Sequence, residues 1–213
     1  QEKRIADLYE ANKIDPTKIN CLGLLAQANY ELERYDDSEQ CFQRIIRMQP
    51  NNYEALAGLG RIEVKRKNFG KAAEYVDRAV KLYTAEPAVY INRAEVLIMM
   101  EQYEPAAQDL ISALSVGTNN QDAIEALAAM SDVQYDAVVS ALNNSISKAP
   151  RNGMFYYLAA QIAMDHNHFA DAEYYLNTIN TNKLYEYHSL YNDVANAQFN
   201  LGKYNDAFKS VGV

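Results

Sequence analysis

Apolar residues recur along this chain in two short stripes separated by a polar break, and the double stripe returns every 34 residues. From Tyr53, apolar or small residues fall at Leu56, Leu59, Gly60 and Ile62. After the break Lys65-Arg66-Lys67-Asn68 they resume at Ala72, Ala73, Val76 and Ala79. Spacings of three and four residues put each set on one helical face. The pattern predicts two antiparallel helices, A and B, joined by a short polar turn. Small residues at Gly60 and Ala72 allow a close approach, and Leu56, Leu59 and Val76 fill the space around it.

An aromatic residue at the start of each B helix marks the period. Tyr35, Phe69, Tyr103, Tyr135, Phe169 and Tyr204 follow one another at spacings of 34, 34, 32, 34 and 35. A period of this size identifies an array of stacked repeats, each too small to bury its apolar face alone. The boundaries read as full repeats at 19–52, 53–86, 87–120, 121–152 and 153–187, within a single solenoid over 1–213. Residues 1–18 read as the end of one truncated repeat and 188–213 as the start of another, so a fragment of a longer array is expected. Both alternatives for the first residue stay open, a cut array or a chain end left after removal of a signal segment.

The same residues resemble the tetratricopeptide repeat family. Its pattern has an apolar or aromatic residue at position 4, Leu-Gly at 7 and 8, Ala at 20, an apolar residue at 24, Ala at 27 and Pro at 32. The first full repeat carries Leu22, Leu25, Ala26, Ser38, Phe42, Ile45 and Pro50 at these places. The third carries Tyr90, Arg93, Ala94, Ala106, Leu110 and Ala113, and the fifth Tyr156, Ala159, Ala160, Ala172, Leu176 and Ile179. Helix B of the fourth supplies Val138, Leu142, Ser145 and Pro150, and the truncated first repeat supplies Arg4, Leu8, Ala11 and Pro16. The resemblance implies an all-α fold, a right-handed superhelical solenoid of antiparallel helix pairs whose A helices line a concave groove.

Departures from the pattern predict local features. Arg93 stands where Leu is usual, so its stem should lie along the helix interface with its head at solvent or an acid. The fourth repeat is two residues short; its A helix, roughly Gln121 to Met130, carries Asp122 and Glu125 outward, and a distorted A–B turn is expected near Ser131 to Gln134. Prolines end B helices at Pro16, Pro50 and Pro150, with Thr84, Thr118 and Leu184 in their place elsewhere and Pro87 opening the next helix.

Composition narrows the function classes. The formal charge of -8 argues against a phosphate-backbone partner, and the one basic run, Lys65-Arg66-Lys67, reads as three solvated turn charges. No apolar run approaches the ~20 residues of a membrane span, so no membrane insertion is expected. The two cysteines, Cys21 and Cys41, read as free packed thiols, because their offset along antiparallel helices exceeds disulfide reach. Low cysteine use leaves cytoplasm and bacterial periplasm open, and the general look of the sequence points to a bacterial source.

No catalytic constellation emerges: Gly58-Leu59-Gly60 lies in a helix pattern without the Gly-Lys-Ser/Thr of a phosphate loop, and no Gly-x-Ser-x-Gly elbow occurs. His166 and His168, with Asp165 beside them, read as a solvated turn rather than a metal site. No catalytic residue, metal ligand or cofactor is assigned.

The family's ligand-facing positions, 2, 5, 9, 12 and 13 of helix A with 6 in the third repeat, carry over as the peptide-binding groove. They give Gln27 and Tyr30, then Arg61, Val64 and Lys65, then Asn92, Glu95, Ile98 and Met99. The fifth repeat adds Tyr157, Gln161 and Met164, and the sixth Asn192, Asn196 and Phe199. Amides, aromatics and methionines suit an extended peptide or a helix. Ile98, Met99 and Met100 either form an open patch or pack on neighbouring helices, while Phe155, Tyr156, Tyr174 and Tyr175 read as core. The function so implied is a noncatalytic protein–protein interaction module that takes a peptide or helix of a partner protein. The alternatives are a structural spacer or a scaffold self-associating through its ends, and the regulatory region of a larger enzyme.

Chaperone-binding members of the family grip a terminal carboxylate with Lys, Asn and Arg at set positions. Here those positions hold Gly23, Gln27, Gly58, Ala88 and Asn92, or one repeat later Ala57, Arg61, Asn92, Asp122 and Ala126, and neither frame supplies the cationic pair. The chain should therefore not bind an acidic C-terminal chaperone peptide in a fluorescence titration; tight binding lost on amidating that peptide would contradict this.

Overall fold

A computed structural model describes residues 2–117, 120–184 and 190–211, with the side chains of Glu2 to Arg4, Leu190, Tyr191, Tyr204, Phe208 and Val211 left aside. The described residues form helices and turns, with no strand among them. The helices are α1 (Glu2–Ile14), α2 (Ile19–Glu31), α3 (Tyr35–Met48), α4 (Tyr53–Lys65), α5 (Phe69–Leu82) and α6 (Pro87–Met99). They continue as α7 (Tyr103–Val116), α8 (Gln121–Lys148), α9 (Gly153–Asp165), α10 (Phe169–Asn182), α11 (Leu190–Asn200) and α12 (Tyr204–Val211). Neighbours in sequence pack in pairs, α2 on α3, α4 on α5 and α9 on α10, as the double stripe requires. The chain divides into two compact units, Gln1–Gln102 and Tyr103–Val213, and the division falls inside the third repeat, between α6 and α7. The expected Thr118 and the junction of the fifth and sixth repeats lie outside the described residues.

The A helices α2, α4, α6 and α9 are each 13 residues long, and the B helices α3, α5, α7 and α10 are each 14. Three residues join A to B, and the middle one is left-handed at Glu33, Lys67, Glu101, Asn167 and Gly202. The following amide reaches back five residues: Asn68 N donates to the Glu63 carbonyl and Lys67 N to the Val64 carbonyl, both at 2.8 Å. This is the Schellman ending, which satisfies helix carbonyls that have no intrahelical partner. The fourth repeat lacks it. Its A helix runs to Val133 rather than Met130, and Gln134 alone (φ -138, ψ 58) breaks α8 before Tyr135. The two residues missing from the 32-residue spacing are missing from this turn, which accounts for the expected distortion.

Close approach holds the pairs together. A Cβ on Gly60 would lie 3.0 Å from Val76 Cγ1, 3.4 Å from the Ala72 carbonyl and 3.5 Å from Val96 Cγ2, so α4, α5 and α6 meet at a point where only glycine fits freely. Gly58 is tighter still, with the Phe42 ring 2.3 Å from where its Cβ would stand. Around these contacts Leu22, Leu25, Leu56, Leu59 and Ile62 are fully buried; the second unit has its own fully buried set, Leu110, Leu127, Leu142, Leu176 and Ile179.

Polar ties supplement the apolar core. Arg93 donates to Asp77 at 2.9 Å, as its position within the interface requires. Arg44 and Arg78, 34 residues apart, each donate to the carbonyl of the proline that ends the preceding repeat, Pro16 at 2.6 Å and Pro50 at 2.8 Å. Tyr90 and Tyr156 likewise donate to the Thr84 and Pro150 carbonyls. Cys21 and Cys41 are free and buried.

Two substitutions read these constraints. Gly58→Ala should cost about 1–3 kcal/mol by chemical denaturation, because the Phe42 ring must move within a packed core. Lys67→Gly should instead stabilise by about 0.5–1 kcal/mol, since it relieves a side chain held at positive φ; a neutral or destabilising result would show that Lys67 makes compensating contacts.

Candidate functional site

The first unit sets α2, α4 and α6 side by side, and their ninth positions, 34 residues apart, form one ladder. Arg61 of α4 lies at its centre. Its Nη2 donates to Gln27 Oε1 of α2 at 3.4 Å, its Nη1 reaches Glu95 Oε2 of α6 at 3.3 Å, and the guanidinium lies 5.8 Å from the Tyr30 ring centroid. Gln27 in turn donates to Glu31 at 3.1 Å. Burial pushes the Tyr30 hydroxyl above the ordinary tyrosine pKa, so this ring stays neutral and supplies a π-face to the cation.

Beside the ladder opens a cleft of about 510 Å³, lined by Gln27, Arg61 and Asn92 together with Asn20, Leu24 and Glu54. Gly23 faces it with nothing within 4 Å of a Cβ position, and Leu24 is 48% exposed. The structure thus brings Gln27, Tyr30, Arg61, Asn92 and Glu95 into one place. Lys65 is exposed at the end of α4, whereas Met99 and Met100 pack, half-buried, on the core cluster of Val64, Ala72, Val76 and Val96. Val64, expected in the lining, is buried there because its position turns toward α5 and α6. Asn20, Leu24 and Glu54 were missed, although Asn20 and Glu54 share position 2 of successive repeats and that spacing was available to find them.

In the second unit Tyr157, Gln161 and Met164 are half-buried on α9, and Asn196 is exposed on α11, accepting from Asn200 at 3.0 Å. Tyr175 is buried and donates to Asn143 at 2.8 Å, but Tyr174, expected in the core, is 64% exposed because it falls one residue off the buried face of α10. His166 and His168 are also more than a solvated turn. They stack on Tyr135 with centroids 5.0 and 4.3 Å away, and His166 Nε2 lies 3.0 Å from Ser131 Oγ. Burial pushes the Tyr135 hydroxyl up to about 12. Among the described residues no three of His, Cys, Asp and Glu could hold a metal ion, and no helix is long and apolar enough to cross a membrane.

The basic run at the α4–α5 turn is likewise corrected. Arg66 bridges Asp36 and Glu39 of the preceding repeat at 2.6 Å each, and also lies 3.4 Å from Glu63. Glu63, 2% exposed, accepts from Lys71 at 2.9 Å and from Asn68 at 2.9 Å. It shares position 11 with Asn29, Ser131 and Gln198, all buried polar residues. Position 11 is thus a buried polar side chain in four of the six repeats, with Leu97 and Ala163 in its place in the third and fifth.

Stacked two-helix repeats with an open A-helix face define an α-solenoid. The tetratricopeptide repeat family model matches residues 24–87, so the first two full repeats are of the tetratricopeptide type. It is 30% identical over 141 residues to the peroxisomal targeting signal receptor of Candida glabrata, covering 66% of this chain and 21% of that protein. It is 27% identical over 109 residues to anaphase-promoting complex subunit 3 of Schizosaccharomyces pombe, covering 51% and 16%. The match thus spans about a fifth or less of these relatives. Among solved structures, yeast Tom70 shares the fold with a TM-score of 0.56 at 14% identity, over 98% of this chain and 42% of that one.

Glu63 allows a test by pH. Burial opposes its charge, but the hydrogen bonds from Lys71 and Asn68 and the nearby Arg66 outweigh it and hold the carboxyl below the ordinary 4.5. A carboxyl lowered in the folded state contributes stability above its unfolded pKa and loses it as pH falls through the folded one. Glu63→Gln should cost about 2 kcal/mol near neutral pH, with the difference from the parent shrinking below pH ~4.5; a pH-independent difference would assign the effect to packing.

Proposed function

We propose that the chain is a noncatalytic protein-interaction module whose A-helix groove holds a peptide or helix of a partner protein. The observation that carries this reading is the Gln27–Arg61–Glu95 ladder bordering the open cleft with Asn92. Side-chain amides and a guanidinium on a rigid helical face match the alternating donors and acceptors of a peptide backbone. Leu24 and the space over Gly23 accept an apolar side chain of the same ligand, since an exposed leucine in a concave site offers surface that a partner can cover. The relatives support the class of function: one is a receptor for a targeting signal and the other a subunit of a complex. We further propose that the repeats act as one solenoid.

The test is affinity capture from the native source with the chain and with Arg61→Gln plus Asn92→Ala, both residues being half-buried in the lining of the cleft. A partner held by the parent and lost from the folded variant is the expected result. Retention by both would move the working surface away from this groove, and no capture by either would favour a spacer role.

A further inference from the structure

The B helices of the first unit end on the same pair of residue types in each repeat. Position 29 is a cation and position 30 an apolar residue: Lys13-Ile14 in α1, Arg47-Met48 in α3 and Lys81-Leu82 in α5. All of them are exposed, with Ile14 at 87%, Met48 at 39% and Leu82 at 47%. The repeat itself does not require an apolar side chain there, since position 30 of the fourth and fifth repeats holds Lys148 and Asn182.

Side-chain contacts set these helix ends beside one another. Arg44 of α3 donates to Asn12 Oδ1 and to the Pro16 carbonyl, on either side of Lys13-Ile14. Arg78 of α5 donates to the Pro50 carbonyl and, at 3.1 Å, to Asn51 Oδ1, just past Arg47-Met48. Arg44 and Arg78 lie one turn before Met48 and Leu82 on the same helix face, so each contact carries the stripe from one repeat to the next. The Tyr53 and Tyr83 rings, edge to face with centroids 5.6 Å apart, also hold the end of α5 against the start of α4. An opening of about 450 Å³ beside Leu82 is lined by Lys81, Arg78 and Asn51 with Glu74 and Asp77. A matching one of about 520 Å³ on α3 is lined by Gln43, Arg44 and Arg47 with Asp36, Glu39 and Gln40.

The cations of this stripe are short of carboxylates. Elsewhere in the first unit Arg61, Arg66, Lys71 and Arg93 are all salt-bridged. Arg44 and Arg78 instead donate to carbonyls and amides, and Arg47 and Lys81 pair with no carboxylate among the described residues. An apolar row lined by unneutralised cations is complementary to a chain that alternates apolar and acidic residues.

We infer that this edge, the ends of α1, α3 and α5, docks an extended acidic segment of a partner protein. It adds a second surface to the interaction role proposed above and does not depend on the groove. The segment's apolar side chains cover Ile14, Met48 and Leu82, and its carboxylates meet Arg47 and Lys81. Packed helices lie about 8–10 Å apart and an extended chain rises about 3.3 Å per residue, so every third residue of the segment meets the next repeat. Exposed Glu10, Asp15 and Glu74 flank the stripe, which therefore suits a narrow chain better than a flat anionic membrane.

The test uses the full chain and a labelled peptide of about 12 residues, built from Leu-Asp-Ser triplets and about 40 Å long when extended. A lysine-for-aspartate counterpart and a serine-for-leucine counterpart serve as comparisons. Fluorescence polarisation at about 0.1 M salt, where charges act over roughly 10 Å, should show the Leu-Asp-Ser peptide bound at least ~10-fold more tightly than either. Arg47→Glu with Lys81→Glu, and separately Met48→Ser with Leu82→Ser, should each weaken it at least ~10-fold with unchanged circular dichroism, while Arg61→Gln leaves it within about twofold. Absence of binding, equal binding of either counterpart, or a loss that follows Arg61→Gln alone would overturn the inference. Cosedimentation of the chain with phosphatidylserine-containing vesicles, without binding of the peptide, would overturn it too and assign the stripe to a membrane. Should the affinity capture fail while the peptide binds this edge, the groove reading falls and this inference stands; the reverse pair of results sinks this inference alone.

Discussion

Everything else in this chain depends on helices touching where neither carries bulk. At Gly60 the backbone of α4 lies close enough to Ala72 of α5 that Val76 and, from the next repeat, Val96 close over the same point. One repeat therefore cannot complete its own core; the third helix comes from its neighbour, and the array grows by the same contact. Phe42 against Gly58 repeats the device one layer earlier. Because B helices and following A helices supply these contacts, the remaining face of each A helix is left for other work.

The turns enforce that arrangement. A three-residue Schellman ending after α2, α4, α6, α9 and α11 sets where the B helix starts, and four of these five turns hold a non-glycine residue at positive φ. The fourth repeat reaches the same reversal through Gln134 alone. There Tyr135, His166, His168 and Ser131 gather at the junction, so side-chain packing replaces the backbone hydrogen bonds that a longer turn provides.

Much of the fold was legible because apolar periodicity reports what is buried. The B-helix starts at Tyr35, Phe69, Tyr103 and Phe169 coincide with the aromatic marks of the period. Arg93 was readable from its place in an apolar pattern, and its partner Asp77 is the acid its head reaches. Polar partnerships were less legible. Arg66, Glu39 and Glu63 meet across a repeat boundary, and the tie from Arg78 to the Pro50 carbonyl depends on a side-chain reach that spacing does not encode. Of the candidate site, the residues at position 9 came together as one ladder, while Val64 and Met99 turned to the core because positions 12 and 13 of an A helix lie at the edge between groove and interior.

The central claim is that the A helices form the working surface. Hydrogen–deuterium exchange of the chain, alone and saturated with a partner that the Arg61→Gln plus Asn92→Ala variant fails to capture, tests it most directly, because protection on binding reports which segments are covered. The account predicts slowed exchange in the A helices α2, α4 and α6, with α3, α5 and α10 unchanged. Protection confined to the B helices α3, α5 and α10 would contradict it.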